Sequence, residues 1–228
     1  MPVDSGRITE LGIEAGRGHK RVVVCLDGER WAALDPETIL FERIERGQTL
    51  DRKRQEAILA RDEAVRARQA AARHAAARLR TRNESEQYLK KRGFSRRAIE
   101  SALKELIDSG TIDDERAADA LVRRLRRRRD VGPRRLDAEL LARGVTPERA
   151  EAHAARALKG TDVADECVAL ARRAAARYRP LDDAGRRRKL AAFLLRRGYP
   201  KETVEAALER IVREQGIVAD ENEEDFGP

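Results

Sequence analysis

Eight arginines within one short stretch are the residues of this chain best suited to binding chemistry. They are Arg123, Arg124, Arg126, Arg127, Arg128, Arg129, Arg134 and Arg135. A guanidinium is always charged and donates hydrogen bonds through a planar fork that fits phosphate and carboxylate groups. This spacing indicates a binding site for a polyanion, with these eight residues as the candidate contacts. A run of charge is also commonly a solvated helix face, so a purely structural role stays open.

The overall charge favours the same class of partner. The chain has 228 residues and a net charge of +8, and 39% of its residues are charged while only 4% are aromatic. That composition is typical of long, solvated helices and not of a large sheet with an aromatic core. The acidic segment 220–225 runs against the trend. We expect the tail 220–228 to be disordered, and we hypothesise that it competes with DNA for the basic face.

Residues suited to catalytic or metal chemistry are few and lie apart in the sequence. Asp113, Asp114 and Glu115 are better explained as the start of a helix, where negative charge is favoured. The three histidines do not cluster, and we expect His153 to be exposed on a helix surface. Neither cysteine belongs to a CxxC pair, and Cys167 suits a small core position better than a nucleophile.

Motifs for nucleotide or metal chemistry are missing as well. The chain has no phosphate-binding loop, no GxGxxG after a strand and no HExxH. It also has no signal-peptide pattern and no apolar run long enough to span a bilayer. We therefore expect a protein of the reducing cytoplasm with no enzymatic activity, no cofactor and no bound metal.

The N-terminal part, 1–50, is predicted to form a small β segment followed by a short helix. Asp27-Gly28 lies between two β-prone runs, which is a strong signal for a two-residue hairpin turn. That turn predicts Val24 opposite Trp31, and 8–14 is expected to add a third strand. We interpret Trp31 as part of a small core, with base stacking as the lesser alternative.

A long polar helix is predicted over 51–80. Apolar residues recur along it every seven positions, but many of them are alanine, so the stripe is thin for a coiled coil. We interpret it as a semi-rigid linker helix. The alternative is an ordinary helix that packs on the next domain.

An internal repeat follows the long helix. Its markers align on Gly93, Gly144 and Gly198, each preceded directly by arginine and, at a distance of four residues, by leucine. A helix-starting residue follows each glycine after one apolar position. Glycine permits the left-handed conformation that ends a helix, and Ser, Thr or Pro starts the next. The pattern predicts three-helix modules at 81–130, 131–180 and 181–219, the third of them truncated.

The arginine run lies where two of these modules join. Gly132-Pro133 breaks the helix that carries the run and starts another, which places Arg134 and Arg135 in a first helical turn. Positive charge is unfavourable at that end of a helix. A bound anion would relieve the mismatch, and so would solvent.

Three strings in this order resemble the RecX family, bacterial regulators of the RecA recombinase. They are Gly-Thr-Ile-Asp-Asp-Glu-Arg at 110–116, Gly-Pro-Arg-Arg-Leu-Asp-Ala-Glu-Leu at 132–140 and Lys-Leu-Ala-Ala-Phe-Leu-Leu-Arg-Arg-Gly-Tyr at 189–199. The likeness extends over roughly 82–212, and the N-terminal β segment is similar to an extension that some members carry. The chain departs from the family at Thr111 and Ala117, where an aromatic residue is usual.

The resemblance implies a mainly α fold of tandem three-helix, helix-turn-helix-like repeats in an elongated curved array, with a small N-terminal β-hairpin segment. It also implies a non-enzymatic regulator of DNA repair and recombination that binds the RecA–DNA filament and blocks its growth or activity. The expected partners are then the RecA filament and single-stranded DNA, with double-stranded DNA as a further form. The eight arginines become candidate contacts to DNA or filament, and we expect a monomer without a membrane partner.

Two other functions stay open. Three-helix modules with a basic face also occur in proteins that bind DNA or RNA on their own. The second alternative is a structural helical scaffold whose arginines form only a solvated helix face. A stand-alone binder should hold bare DNA tightly and with a steep salt dependence, whereas a filament regulator can bind bare DNA weakly.

Overall fold

The computed structural model describes residues 4–16, 19–127, 130–178 and 182–214. They belong to two compact units, Met1–Asp114 and Glu115–Pro228. Helices dominate both units and a small sheet lies at the N-terminal end of the first, so the predicted mainly α fold is confirmed. Within this described part, every helix is too short or too polar to cross a membrane.

Four antiparallel strands form the sheet, in the spatial order β3-β2-β1-β4. Their bounds are β1 Ser5–Gly16, β2 His19–Leu26, β3 Glu29–Leu34 and β4 Thr49–Asp51. The predicted hairpin turn is confirmed, because Asp27 and Gly28 both have positive φ, at 50° and 86°. Strand β4 was not predicted, since three residues are too few to show a period of two.

The hairpin starts in the register that a two-residue turn predicts, with Leu26 opposite Glu29 and Cys25 opposite Arg30, and then departs from it. Val24 lies opposite Ala32 instead of Trp31, because a bulge in β3 shifts the pairing by one residue. Trp31 is still partly buried and packs against the core of the sheet, so its interpretation as a core residue is confirmed.

Helix α1 (Pro36–Phe41) lies between β3 and β4, and α2 (Arg52–Ala77) follows β4 directly. Ile58 of α2 is fully buried in the core beneath the sheet. Ala67 and Ala71 are fully buried in a second core, which α2 shares with α3 (Arg82–Lys91) and α4 (Arg96–Asp108). The linker interpretation of α2 is therefore wrong, and the alternative of a packed helix is right. Alanine gave a weak sequence signal because each of its side chains buries little area.

The repeat markers have the conformations that the pattern predicted. Gly93, Gly144 and Gly198 all have positive φ, between 77° and 87°. The leucine four residues before each glycine has no exposed surface; these are Leu89, Leu140 and Leu194. The glycines thus end helices, and the leucines anchor those helices in a core.

The rest of the described chain has one short 3-10 helix, Ala176–Tyr178, and six α-helices: α5 (Asp114–Arg126), α6 (Pro133–Leu141), α7 (Pro147–Leu158), α8 (Val163–Ala175), α9 (Asp183–Arg196) and α10 (Lys201–Glu214). Helices α5, α6 and α7 share two small cores, and α8, α9 and α10 share another. The predicted modules, at 81–130, 131–180 and 181–219, each begin one helix later than the groups of helices that share a core. A periodic sequence signal gives the length of a repeat but leaves its first helix open.

His153 departs from the prediction of an exposed histidine, because its side chain is only 2% exposed. It lies on α7 and faces two acids of α5. Its Nε2 is 3.1 Å from Glu115 Oε2, and its Nδ1 is 2.8 Å from Asp119 Oδ1. The ring ties two helices of one module together, which an isolated histidine in a sequence does not reveal.

Candidate nucleic-acid interface

The C-terminal end of α5, with the residue that follows it, presents three guanidinium groups to solvent. Ala118, Leu121 and Val122 bury the opposite side of the helix against α6 and α7. The period of 3.6 residues then turns Arg123 and Arg124 outward, and Arg127 follows directly after the last residue of the helix. All three side chains are exposed, and we call them the α5 arginines. Among the described residues, none of the three arginines forms an ion pair. They are thus available to an anionic partner.

Arg126 of the same run has a different role. Its side chain is only 14% exposed and forms a bidentate pair with Glu166 of α8, with Nη1–Oε2 at 2.7 Å and Nη2–Oε1 at 2.9 Å. Such a fork-to-carboxylate contact is strong and directional. Arg126 joins α5 to α8, so its assignment as a DNA or filament contact is not supported by its position. Arg128 and Arg129 lie outside the described residues.

The segment before α6 docks on the end of α9 through its backbone. The Gly132 amide donates to the Arg197 carbonyl at 2.9 Å, and the Arg134 amide donates to the Gly198 carbonyl at 3.0 Å. Arg197 reinforces the contact through Nη1, which lies 2.7 Å from Asp130 Oδ2. Carbonyls at a helix C-terminus thereby satisfy amides at a helix N-terminus.

Arg134 and Arg135 lie beside this junction and are both exposed. They line a groove of about 470 Å³ between α6 and α9, together with Arg196. The sequence prediction missed Arg196. The repeat alignment held a signal for it, since Arg196 immediately precedes the arginine that aligns before each glycine.

Glu139 is the acid in the wall of this groove. Its hydrogen bond from Arg143 lowers its pKa below the ordinary value, and the charges of Arg143, Arg135 and Arg124 add to that effect. Glu139 is therefore an ionised acceptor near neutral pH. Arg124 and Arg135 thus both act electrostatically on Glu139.

Other reactive groups offer little chemistry. Burial raises the pKa of the Cys167 thiol to about 11, so the group is a neutral thiol near pH 7 and a poor nucleophile. In the described part of the chain, no three metal-ligating side chains come together. The arrangement fits binding of an anionic polymer better than catalysis.

Two family models match the helical part of the chain. One is described as RecX, second three-helix domain, and matches residues 113–153. The other is described as RecX, third three-helix domain, and matches residues 161–208. These spans coincide with α5–α7 and α8–α10, the helices that share cores.

Solved structures with this fold include a crystal structure of regulatory protein RecX, with a TM-score of 0.66 and 22% identity over 90% of this chain and 99% of that chain. Another is RecX from Lactobacillus salivarius, with a TM-score of 0.53 and 24% identity over 69% of this chain and 99% of that one. At these identities the likeness shows the fold alone.

Curated relatives share more sequence with the chain. Regulatory protein RecX of Pelodictyon phaeoclathratiforme is 31% identical over 132 residues, which is 58% of this chain and 80% of the relative. Regulatory protein RecX of Mycobacterium sp. strain KMS is 35% identical over 144 residues, 59% of this chain and 78% of the relative. With matches that span most of each relative and two domain models in the right order, the chain belongs to the RecX family.

Proposed function

We propose that this protein is a non-enzymatic regulator that binds RecA–DNA filaments and inhibits the recombinase in DNA repair and recombination. Its relatives are named regulatory proteins, and the family resemblance supplies RecA as the target. The observation that carries the proposal is the set of exposed arginines at the end of α5 and directly after it, Arg123, Arg124 and Arg127, without ion-pair partners among the described residues. A target of this kind places the protein in the cytoplasm.

The α5 arginines would act on the phosphate backbone of the DNA. Guanidinium contacts to phosphates release counterions, which supplies affinity without reading sequence. The Arg126–Glu166 pair holds the end of α5 to α8, so the three exposed side chains project from a fixed segment. A preorganised cationic surface loses less conformational freedom on binding than a flexible one.

The experiment that tests the proposal is RecA-dependent ATP hydrolysis on single-stranded DNA, titrated with this protein at physiological salt. We expect hydrolysis to fall at amounts well below one protein per recombinase subunit, because a regulator acting on a filament affects many subunits at once. A fall that needs enough protein to coat the DNA would contradict the proposal.

A stand-alone DNA- or RNA-binding protein is the second candidate, favoured by helix-turn-helix-like modules with a basic face. The salt dependence of binding to bare DNA separates the two. A stand-alone binder retains high affinity for bare DNA at physiological salt. A filament regulator binds the filament more tightly than it binds the same DNA without recombinase.

A further inference from the structure

The groove between α6 and α9 combines an apolar floor with a cationic rim. We call it the α6–α9 groove and define it by Arg134, Arg135, Ala138, Ala142, Leu195 and Arg196. Leu195 is 44% exposed within it, and both alanines are exposed. An exposed leucine over small side chains offers a contact for an apolar group, which a phosphodiester backbone does not present.

The rim of the groove carries positive charge that is largely unused. Among the described residues, Arg134 and Arg196 form no ion pair, and both are exposed. Arg135 is partly engaged, since its Nη2 lies 3.5 Å from Glu139 Oε1. The rim is therefore complementary to carboxylates or phosphates.

Three features of the groove favour a peptide over nucleic acid. The amides of Gly132 and Arg134 at the start of α6 already donate to carbonyls of α9, so they are closed to a phosphate. The carboxylate of Glu139 is an ionised acceptor in the wall, and a peptide has N–H donors for it while a phosphodiester has none. None of the described lining residues is aromatic, so bases have no ring to stack on.

We infer that the α6–α9 groove binds an acidic segment of a protein partner that inserts an apolar side chain against Leu195, while DNA contacts the exposed arginines of α5. The inference rests on the proposed function, in which the partner is the recombinase of the filament. It divides the basic residues into two surfaces with different ligands. The backbone junction of Gly132 with α9 fixes the groove walls before binding, which favours affinity.

Three variants test this division. Arg134→Ala/Arg196→Ala changes the groove, and Arg123→Ala/Arg127→Ala changes α5. Each removes two positive charges, so the pair is matched in net charge. Leu195→Gln changes the floor of the groove and leaves the charge unchanged. All five positions are exposed, and thermal unfolding of each variant checks that the fold is intact.

Two binding measurements are made on each variant. The first uses a fluorescein-labelled oligo(dT) strand alone, followed by anisotropy over a range of salt concentrations. The second uses RecA filaments assembled on the same strand. We expect both groove variants to bind bare DNA within about twofold of the unchanged protein and to bind filaments about tenfold more weakly. We expect the α5 variant to lose affinity for bare DNA, with a salt slope lower by about 1.4 for two lost phosphate contacts.

The outcomes separate the inference from the proposed function. If the groove charge variant loses bare-DNA affinity as the α5 variant does, the groove is a DNA site and the inference is wrong. It is also wrong if Leu195→Gln binds filaments as the unchanged protein does. If the unchanged protein shows no preference for filaments over bare DNA, the proposed function fails, and the inference that rests on it fails too.

Discussion

Gly132 and Gly198 meet backbone to backbone, and a Cβ atom at Gly132 would lie 2.5 Å from the carbonyl oxygen of Gly198. The contact lets the C-terminal carbonyls of α9 accept from the N-terminal amides of α6. It also explains how α6 tolerates Arg134 and Arg135 in its first turn. The partial negative charge at the end of α9 offsets the partial positive charge that opposes them.

Gly198→Ala should destabilise the second unit strongly. Its φ is +87°, which costs a residue with a Cβ about 1–2 kcal/mol, and the new methyl group would lie 2.4 Å from the backbone nitrogen of Arg135. We expect a total loss above about 2 kcal/mol in the free energy of unfolding, measured by urea denaturation.

Gly160→Ala is the matched control for that change. Gly160 lies in the same unit with φ +74°, but apart from its own and adjoining residues no atom of the described chain lies within 4 Å of the position its Cβ would occupy. We expect only the conformational cost of about 1 kcal/mol. Equal losses for the two alanine variants would show that the close approach of α6 to α9 does not contribute to stability.

Arg126→Ala should act on stability and not on DNA binding. Arg126 and Glu166 are 14% and 15% exposed, so removing one partner leaves a poorly hydrated charge at a cost of about 3 kcal/mol. Arg124→Ala, an exposed change on the same helix, should stay within about 0.5 kcal/mol. A double-mutant cycle with Glu166→Gln measures the coupling. A loss of DNA affinity without loss of stability in Arg126→Ala would restore Arg126 as a contact.

Local features of the fold were predictable from the sequence, and features that depend on distant pairing were not. Ser95 caps the N-terminus of α4, and Gly198, with its positive φ, terminates α9, as their residue types indicated. These signals are local because a cap or a left-handed glycine acts within a few residues. Strand β4 pairs with residues near the N-terminus, far along the chain, and the bulge at Trp31 depends on how the two strands of the hairpin pair beyond the turn. The sequence alone gives neither pairing.

The candidate site shows the same limit. Apolar residues recur along α5 at spacings of three and four, and this periodicity predicts that Arg123, Arg124, Arg127 and Arg128 face solvent. The first three are exposed, and Arg128 lies outside the described residues. Periodicity does not show that Arg126 binds Glu166, which lies 40 residues further along the chain. Charge clustering therefore points to a candidate surface, and the tertiary structure shows that Arg126 pairs with Glu166 instead of facing solvent.

His153→Ala should destabilise the module formed by α5, α6 and α7. The buried ring lies between Glu115 and Asp119 of α5, so alanine removes both contacts and leaves a cavity. We expect a loss of about 2 kcal/mol in the free energy of unfolding. Arg156→Ala is the control, since Arg156 contacts the same Asp119 at 3.7 Å but is 61% exposed, and its pair should contribute less than about 1 kcal/mol. If both variants lose a similarly small amount of unfolding free energy, the His153 ring does not contribute to the packing of the module.

Tyr199→Phe should change how stability depends on alkaline pH. Burial, with the negative charge of Glu166 adding to it, raises the pKa of Tyr199 from 10.0 to about 12. Between these values the unfolded chain has lost the phenol proton while the folded chain still holds it. The folded state thus binds more protons, and the free energy of unfolding falls as pH rises, by at most about 1.4 kcal/mol per pH unit.

The phenylalanine variant removes this dependence without removing a hydrogen bond, because the Tyr199 hydroxyl has no partner among the described residues. Its stability at pH 7 should stay within about 1 kcal/mol of the unchanged protein. Above about pH 10 the variant should be the more stable of the two proteins. Its free energy of unfolding should still fall with pH, less steeply than that of the unchanged protein, because the Cys167 thiol remains. Urea unfolding at about pH 7, 9, 10 and 11, a range that spans the ordinary pKa of tyrosine, measures the stability at neutral pH and its alkaline slope. Identical slopes for the two proteins would mean that Tyr199 ionises in the folded state as readily as in the unfolded chain.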